Sequence, residues 1–235
     1  MPDDTDAEQA QLESEGWPPP TDQEMVSARA CLQAVLTDAD RATAALAEYY
    51  EPSGSFAGFT FLDLEPNEPF EIAATDVLAV TLLEVCASAD GVRNLLQRDE
   101  KRTIVLDALA DVQEDDELAT APAGTLKAAA KFYETTKKCL GANPWVIASK
   151  LCARKRPKLI PVRDTIVVAE LGLTNRDFRT DWLVYRSLLR DQDIANGLAS
   201  VQKAADEKVS GIVSLPLLRV LDTVVWRYRP SRARR

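Results

Sequence analysis

Apolar residues recur at three- and four-residue spacing along most of the chain, the period of a helix face rather than of a strand. The first such run opens at Gln23, where Met25, Ala28, Leu32, Val35 and Leu36 predict a helix to about Tyr50. The stretch from Glu51 to Phe70 breaks the pattern with Gly54, Gly58, Pro66 and Pro69. It reads as a loop with a short strand at Phe59–Leu62, held down by its aromatics. Thr75 is placed to cap a helix whose Val77, Leu78, Val80, Thr81, Leu82 and Val85 are apolar nearly all round, the mark of a central, buried helix. Shorter helices follow near Val92–Gln97 and Thr103–Val112, then an acidic loop, Glu114–Gly124.

A second half begins with a helix from about Thr125 to Leu140. Gly141-Ala142-Asn143 breaks it, and a new helix starts with Asn143 as N-cap and Pro144 at the first helical position. That helix stops before Pro157, and Lys158 to Arg163 reads as extended chain. Asp164 caps a short helix that ends at Leu171-Gly172. Helices at about Thr180–Arg190, Ile194–Glu207 and Leu215–Tyr228 complete the chain, the last capped by Ser214. No repeat and no sustained alternation interrupts this reading. The expected fold is all-α, an orthogonal helical domain spanning 25–235, with N-terminal helices to 124, a hairpin unit at 125–173 and C-terminal helices at 174–230.

Charge changes this picture at both ends. Residues 1–24 carry eight acids, no base and Pro18-Pro19-Pro20, so a disordered acidic tail is expected there. Those eight acids account for all but one of the net charge of −9. Residues 127–163 hold ten bases (Lys127, Lys131, Lys137, Lys138, Lys150, Arg154, Lys155, Arg156, Lys158 and Arg163) and one acid, Glu134. Arg227, Arg229, Arg232, Arg234 and Arg235 add to them at the C-terminus. Segregation of this kind reads either as an anion-binding face, with a phosphate backbone as ligand, or as a solvated face. The tail then serves as a competitor for the protein's own basic face or as a contact for a basic partner.

Composition narrows the chemistry. The chain has no histidine, which removes Ser-His and Cys-His nucleophile pairs, His-based zinc sites and the HExxH helix. No phosphate-binding or dinucleotide glycine motif is present, and Asp115-Asp116 and Asp191/Asp193 read as solvated surface. Cys31, Cys86, Cys139 and Cys152 are too scattered for a disulfide framework or a metal site and read as buried, reduced thiols. An acidic N-terminus and the absence of a long apolar run predict a cytoplasmic protein with no membrane, metal or cofactor requirement.

The run Leu140-Gly141-Ala142-Asn143-Pro144-Trp145-Val146-Ile147-Ala148 resembles the hairpin of the helix-hairpin-helix DNA glycosylase superfamily, typically written LPGhGxxTA. Asn143 stands at the second hairpin glycine and Leu140 at the proline. Trp145 falls where some members carry a catalytic lysine and some alkylpurine glycosylases carry tryptophan. About twenty residues on, Ile160-Pro161-Val162-Arg163-Asp164-Thr165-Ile166 matches the extended segment and Asp-capped helix of that superfamily. The likeness covers about 125–173. Leu218 to Trp226 is also similar to C-terminal helices of distant members, and the whole chain resembles a bacterial family of unknown function.

The resemblance implies a DNA-binding, DNA-repair hydrolase that cleaves an N-glycosidic bond with one catalytic carboxylate, Asp164, and no cofactor. Duplex DNA is the implied partner, contacted by Lys137, Lys138, Gly141, Asn143, Lys150, Arg154, Lys155, Arg156 and Arg163. Trp145, Trp182 and Tyr185 are candidates for a base pocket, with Trp226 beside them; large aromatics in a helical domain also read simply as core. Asp164 reads equally as a plain helix cap. A non-catalytic nucleic-acid-binding or protein-interaction protein of the same fold is the alternative.

Overall fold

A computed structural model describes residues 10–173 and 177–229. Among these residues the only regular elements are helices. They are α1 (Asp22–Thr37), α2 (Ala39–Tyr50), α3 (Gly58–Asp63), α4 (Ala74–Thr81), α5 (Ala89–Leu96), α6 (Asp99–Ala110), α7 (Ala123–Leu140), α8 (Trp145–Lys155), α9 (Thr165–Glu170), α10 (Phe178–Arg190), α11 (Gln192–Asp206) and α12 (Leu217–Tyr228), with a 3₁₀ turn at Ile212–Ser214. Helices α5, α6 and α7 pack on one another, and α8 packs on α4 and α7. Helices α1, α2 and α10 to α12 form a second group, against which α9 rests. One continuous apolar core runs through both groups.

Several boundaries differ from the sequence pattern for local reasons. The expected single helix from 23 to 50 is broken at Asp38 (φ −105°, ψ 62°), which lets α2 turn onto α11 and α12. Residues 58–63 are a helix, not a strand, and Phe61 is its buried side chain. Helix α4 is not central: it buries Asp76, Ala79 and Val80 but leaves Leu78 half exposed. Its cap comes from Asp76, which accepts the Ala73 N–H at 2.8 Å, and Thr75 instead donates to the Pro66 carbonyl. Asn143 is not the cap of α8; it lies at φ 53° in the hairpin turn, and the helix starts after Pro144. Ser214 belongs to the 3₁₀ turn, and α12 starts after Pro216. Asp164 caps α9 as expected, accepting the Ile166 and Val167 N–H groups at 2.9 Å each.

The acidic tail is corrected for residues 10–24. Residues 10–14 form a helical turn, Leu12 and Trp17 are buried in the core, and Trp17 meets Trp182 at 6.3 Å between ring centroids. The Pro18 carbonyl accepts the Thr180 hydroxyl, and Glu15 pairs with Lys127 at 3.2 Å. Thr21 and Glu24 form a reciprocal capping box that starts α1 at Asp22, one residue before the expected opening at Gln23. Residues 1–9, with their four acids, and Arg232, Arg234 and Arg235 lie outside the described residues.

Glycine has a stated reason at Gly91 in α5. A Cβ there would come within 2.8 Å of the Leu140 carbonyl, so α5 can approach the end of α7 only with no side chain at this position. The close approach allows Asn94 to donate to the Cys139 carbonyl at 2.7 Å and fixes where the hairpin begins.

Candidate active site

The expected basic face is the largest correction. Lys150, Arg154, Lys155, Arg156 and Arg163 are all buried, none more than 6% exposed, so they present no surface to a polyanion. Arg154 donates to the backbone carbonyls of Phe61, Leu62 and Leu64, and with Lys155 it holds the buried Asp76 carboxylate. Arg156 donates to the carbonyls of Leu109, Val112, Pro69 and Lys155 and lies 5.0 Å from the Phe70 ring centroid. Arg163 pairs with the buried Asp181 and lies 4.8 Å from the Trp145 ring centroid. Buried guanidinium groups need such partners, because five N–H donors left dry would each carry a desolvation cost. Charge count alone could not separate this use from a solvated stripe.

What stays outside is smaller. Lys138, Gly141, Ala142 and Asn143 are exposed and Lys137 is half-buried, so the hairpin tip keeps a modest positive character. Lys127, Lys131 and Lys158 are paired with Glu15, Asp111 and Asp115. The acidic pairs expected on the solvated surface also have structural partners: Asp116 accepts the Gln113 N–H, and Asp191 caps α11 and pairs with Arg29. Cys86 is exposed, contrary to the expectation of four buried thiols; Cys31, Cys139 and Cys152 are buried, and none of the four forms a disulfide.

Two of the four base-pocket candidates are core. Trp182 and Tyr185 are fully buried, and Trp182 packs edge-on against Tyr133 and Phe178. Trp145 is partly exposed beside the hairpin, where its carbonyl accepts the Tyr133 hydroxyl at 3.3 Å.

A cleft of about 130 Å³ nevertheless forms beside Asp164. Its aromatic wall is Tyr49, Phe56 and Trp226, which meet at 5.7–5.9 Å between centroids. Its polar wall holds Asp164, Lys150, Glu84, Arg219 and Asp222. The Gly141–Asn143 turn is not part of this cleft. Both cap bonds of Asp164 fall on Oδ1, which leaves Oδ2 outside the cap. Lys150 turns inward: its ammonium donates to the Leu83 carbonyl at 2.8 Å, and burial lowers its pKa against the opposing pull of Asp164 and Glu84. Glu84 has φ 60°, a left-handed conformation that costs free energy for a residue with a long side chain.

The extended segment that delivers Asp164 is pinned on two sides. Ser149 of α8 donates to the Pro161 carbonyl at 3.0 Å and accepts the Arg163 N–H at 2.6 Å. Asp222 of α12 accepts the Val162 N–H at 3.1 Å and pairs with Arg219 at 2.7 Å. Neither Ser149 nor Asp222 was expected to be functional. The signal available for the second was a charged pair, Arg219 and Asp222, three apart in an otherwise apolar helix.

Asp222 is fully buried, and its carboxyl is pushed up to about 7 by burial, which outweighs the adjacent Arg219 guanidinium. Above an ordinary carboxyl pKa near ~4 the unfolded chain has lost this proton while the native state keeps it. The contribution of Asp222 to stability therefore falls as pH rises from about 4 to about 7, and is constant beyond that. The stability difference between wild type and Asp222→Asn, from urea midpoints across pH 4–8, should decline over that window. A difference that stays flat with pH would show that Asp222 titrates normally.

Among the described residues no group of His, Cys, Asp and Glu could hold a metal ion, and no helix is long and apolar enough to cross a membrane. The described residues define an all-helical fold with a polar, aromatic-walled cleft lined by a helix-capping aspartate. The chain belongs to a family of unknown function, DUF6308, whose model matches residues 42–229. That span covers every cleft residue named above. No curated protein and no solved structure matches the chain.

Proposed function

We propose that this protein is a helix-hairpin-helix, DNA-glycosylase-like hydrolase in which Asp164 serves hydrolysis of an N-glycosidic bond. The observation that carries the reading is the position of Asp164: one carboxylate oxygen fixes it to a helix terminus, and the residue lines a cleft with aromatic rings in its wall, Tyr49, Phe56 and Trp226 among them. A base that leaves its sugar needs an apolar, stacking surface, and the sugar left behind is oxocarbenium-like. A fixed carboxylate beside that positive charge stabilises it and orients the attacking water. In the balanced step, the C1′–N bond breaks with its electron pair going to the base. Water adds its hydroxyl to C1′, and its proton ends on the base.

The α7–α8 pair supports the hairpin part of the reading. Gly141 (φ 115°) and Asn143 (φ 53°) both adopt positive φ in an exposed turn, and no side chain caps the start of α8. Such a terminus offers free N–H groups to a phosphate, with Lys137 and Lys138 close by in sequence. The burial of five of the expected cations leaves polyanion contact to the exposed hairpin tip, and a second reading, a non-catalytic nucleic-acid-binding protein of the same fold, rests on that tip alone.

Duplexes carrying varied base lesions decide between them. Abasic-site formation by wild type that drops at least about a hundredfold in Asp164→Asn supports the hydrolase, by analogy with loss of one transition-state electrostatic contact. Salt-dependent duplex binding without abasic sites supports the second reading. Absence of both overturns both.

A further inference from the structure

The cleft wall contains polar atoms with no partner. Arg219 is 2% exposed and Asp222 6%. Arg219 spends Nη2 on the Ile160 carbonyl and on Asp222 Oδ2, yet its Nε and Nη1 make no hydrogen bond. Asp222 spends Oδ2 on Arg219 and on the Val162 N–H, while Oδ1 has no partner in hydrogen-bond geometry, and the neighbouring Tyr185 hydroxyl is likewise unpaired. Leaving a buried polar atom unpaired costs about 1–3 kcal/mol, so unpaired donors and an acceptor side by side in a cavity wall mark a place for a complementary group.

We propose that Arg219 and Asp222 read the polar edge of a planar, uncharged heterocycle, a nucleobase edge with an acceptor beside an N–H, bound against Trp226 and Tyr49. The proposal rests on the reading of the cleft as the seat of the departing base. Arg219 supplies donors to a ring carbonyl or ring nitrogen, and Asp222 Oδ1, in the ionised form that prevails above about pH 7, accepts the neighbouring N–H. Charge suits a neutral ligand: Glu84 and Asp164 stand against Lys150 and Arg219 in equal number, and Asp222, its carboxyl pushed up to about 7 by burial, is only partly charged near neutral pH. A phosphate or carboxylate would find no surplus of positive charge to receive it. Trp226 provides the face for stacking and is only partly buried, so its emission reports occupancy.

Ligand-side and protein-side tests combine. Wild-type protein is titrated with 1-methyluracil and 9-methylhypoxanthine, in which one methyl stands for the sugar. The controls are 1,3-dimethyluracil and 1,9-dimethylhypoxanthine, in which the edge N–H is blocked. Tryptophan fluorescence and ligand-observed NMR follow binding. At least one of the first pair should bind, with its dimethyl counterpart weaker by tenfold or more, because a site built around a hydrogen bond rejects the analogue that lacks it. Asp222→Asn should narrow that ratio to within about threefold, and wild-type discrimination stands as the test where this variant does not fold. The proposal is overturned if none of the bases binds, which would mean that only water fills the wall, or if methylated and unmethylated bases bind alike. Discrimination without any abasic-site formation keeps the edge reading and removes the hydrolase. Base release that ignores N-methylation does the reverse.

Discussion

Replacing Asp76 with alanine is expected to cost about 3–5 kcal/mol, the range for removing one partner of a buried ion pair. The loss is large because the carboxylate serves three donors at once. Its Oδ1 takes Arg154 Nε at 2.9 Å, both oxygens take Lys155 Nζ at 3.1 Å, and Oδ2 takes the Ala73 N–H that opens α4. All three side chains are fully buried, so the two cations would be stranded without water. Burial already lowers the pKa of Lys155 against the pull of Asp76, so this lysine would shed its proton readily once the carboxylate is gone. A natural control is Asp111→Ala, which removes an ion pair in which both side chains are more than half exposed, and should change stability by no more than ~0.5 kcal/mol. Urea unfolding followed by far-ultraviolet circular dichroism measures both. A loss below about 1 kcal/mol for Asp76→Ala would show that the cluster is not the closed unit described.

The second large effect lies at the N-terminus. Trp17→Ala is expected to lower stability by up to about 3 kcal/mol, from lost burial and the void left against Trp182. The ceiling is physical. If the 10–21 segment detaches, the protein loses only the net docking free energy, because the chain regains the entropy that docking had cost. Deletion of residues 1–20 measures that ceiling directly. For a chain of this size a loss of ~3 kcal/mol corresponds to a fall in Tm of about 6–12 °C. An unchanged Tm after deletion would mean that the segment adds nothing to the fold.

These two cases also show what could be read from residue order and what could not. Helix punctuation was legible at one of the four expected caps: Asp164 caps α9, and Gly172 follows its end at φ 72°, whereas Thr75, Asn143 and Ser214 serve other turns. The all-helical class followed from periodicity alone. The tail was misread because eight acids outvote two apolar residues in any compositional average, although Leu12 and Trp17 decide where the segment goes. The ten bases of 127–163 were legible as a concentration of charge but not as to destination. Whether a guanidinium meets a phosphate or a backbone carbonyl depends on chain that lies 90 or more residues away, as with Arg154 and the carbonyls of Leu62 and Leu64. The cleft itself draws Tyr49, Glu84, Lys150, Asp164 and Trp226 from five separate stretches. Of these, Asp164, Lys150 and Trp226 were expected at a site, and Lys150 was expected to face outward.

The way the arginines hold the 61–73 segment has a consequence for how the sequence can drift. Arg154, Arg156 and Arg102 grip it at the carbonyls of Phe61, Leu62, Leu64, Pro69 and Ile72, groups that every amino acid possesses. The clamp therefore reads the path of that strap and is blind to most of its side chains. Homologues should tolerate wide substitution along the strap while keeping guanidinium groups at 102, 154 and 156. Lysine should fail at those three places, because a single ammonium cannot span carbonyls that a planar fork reaches together.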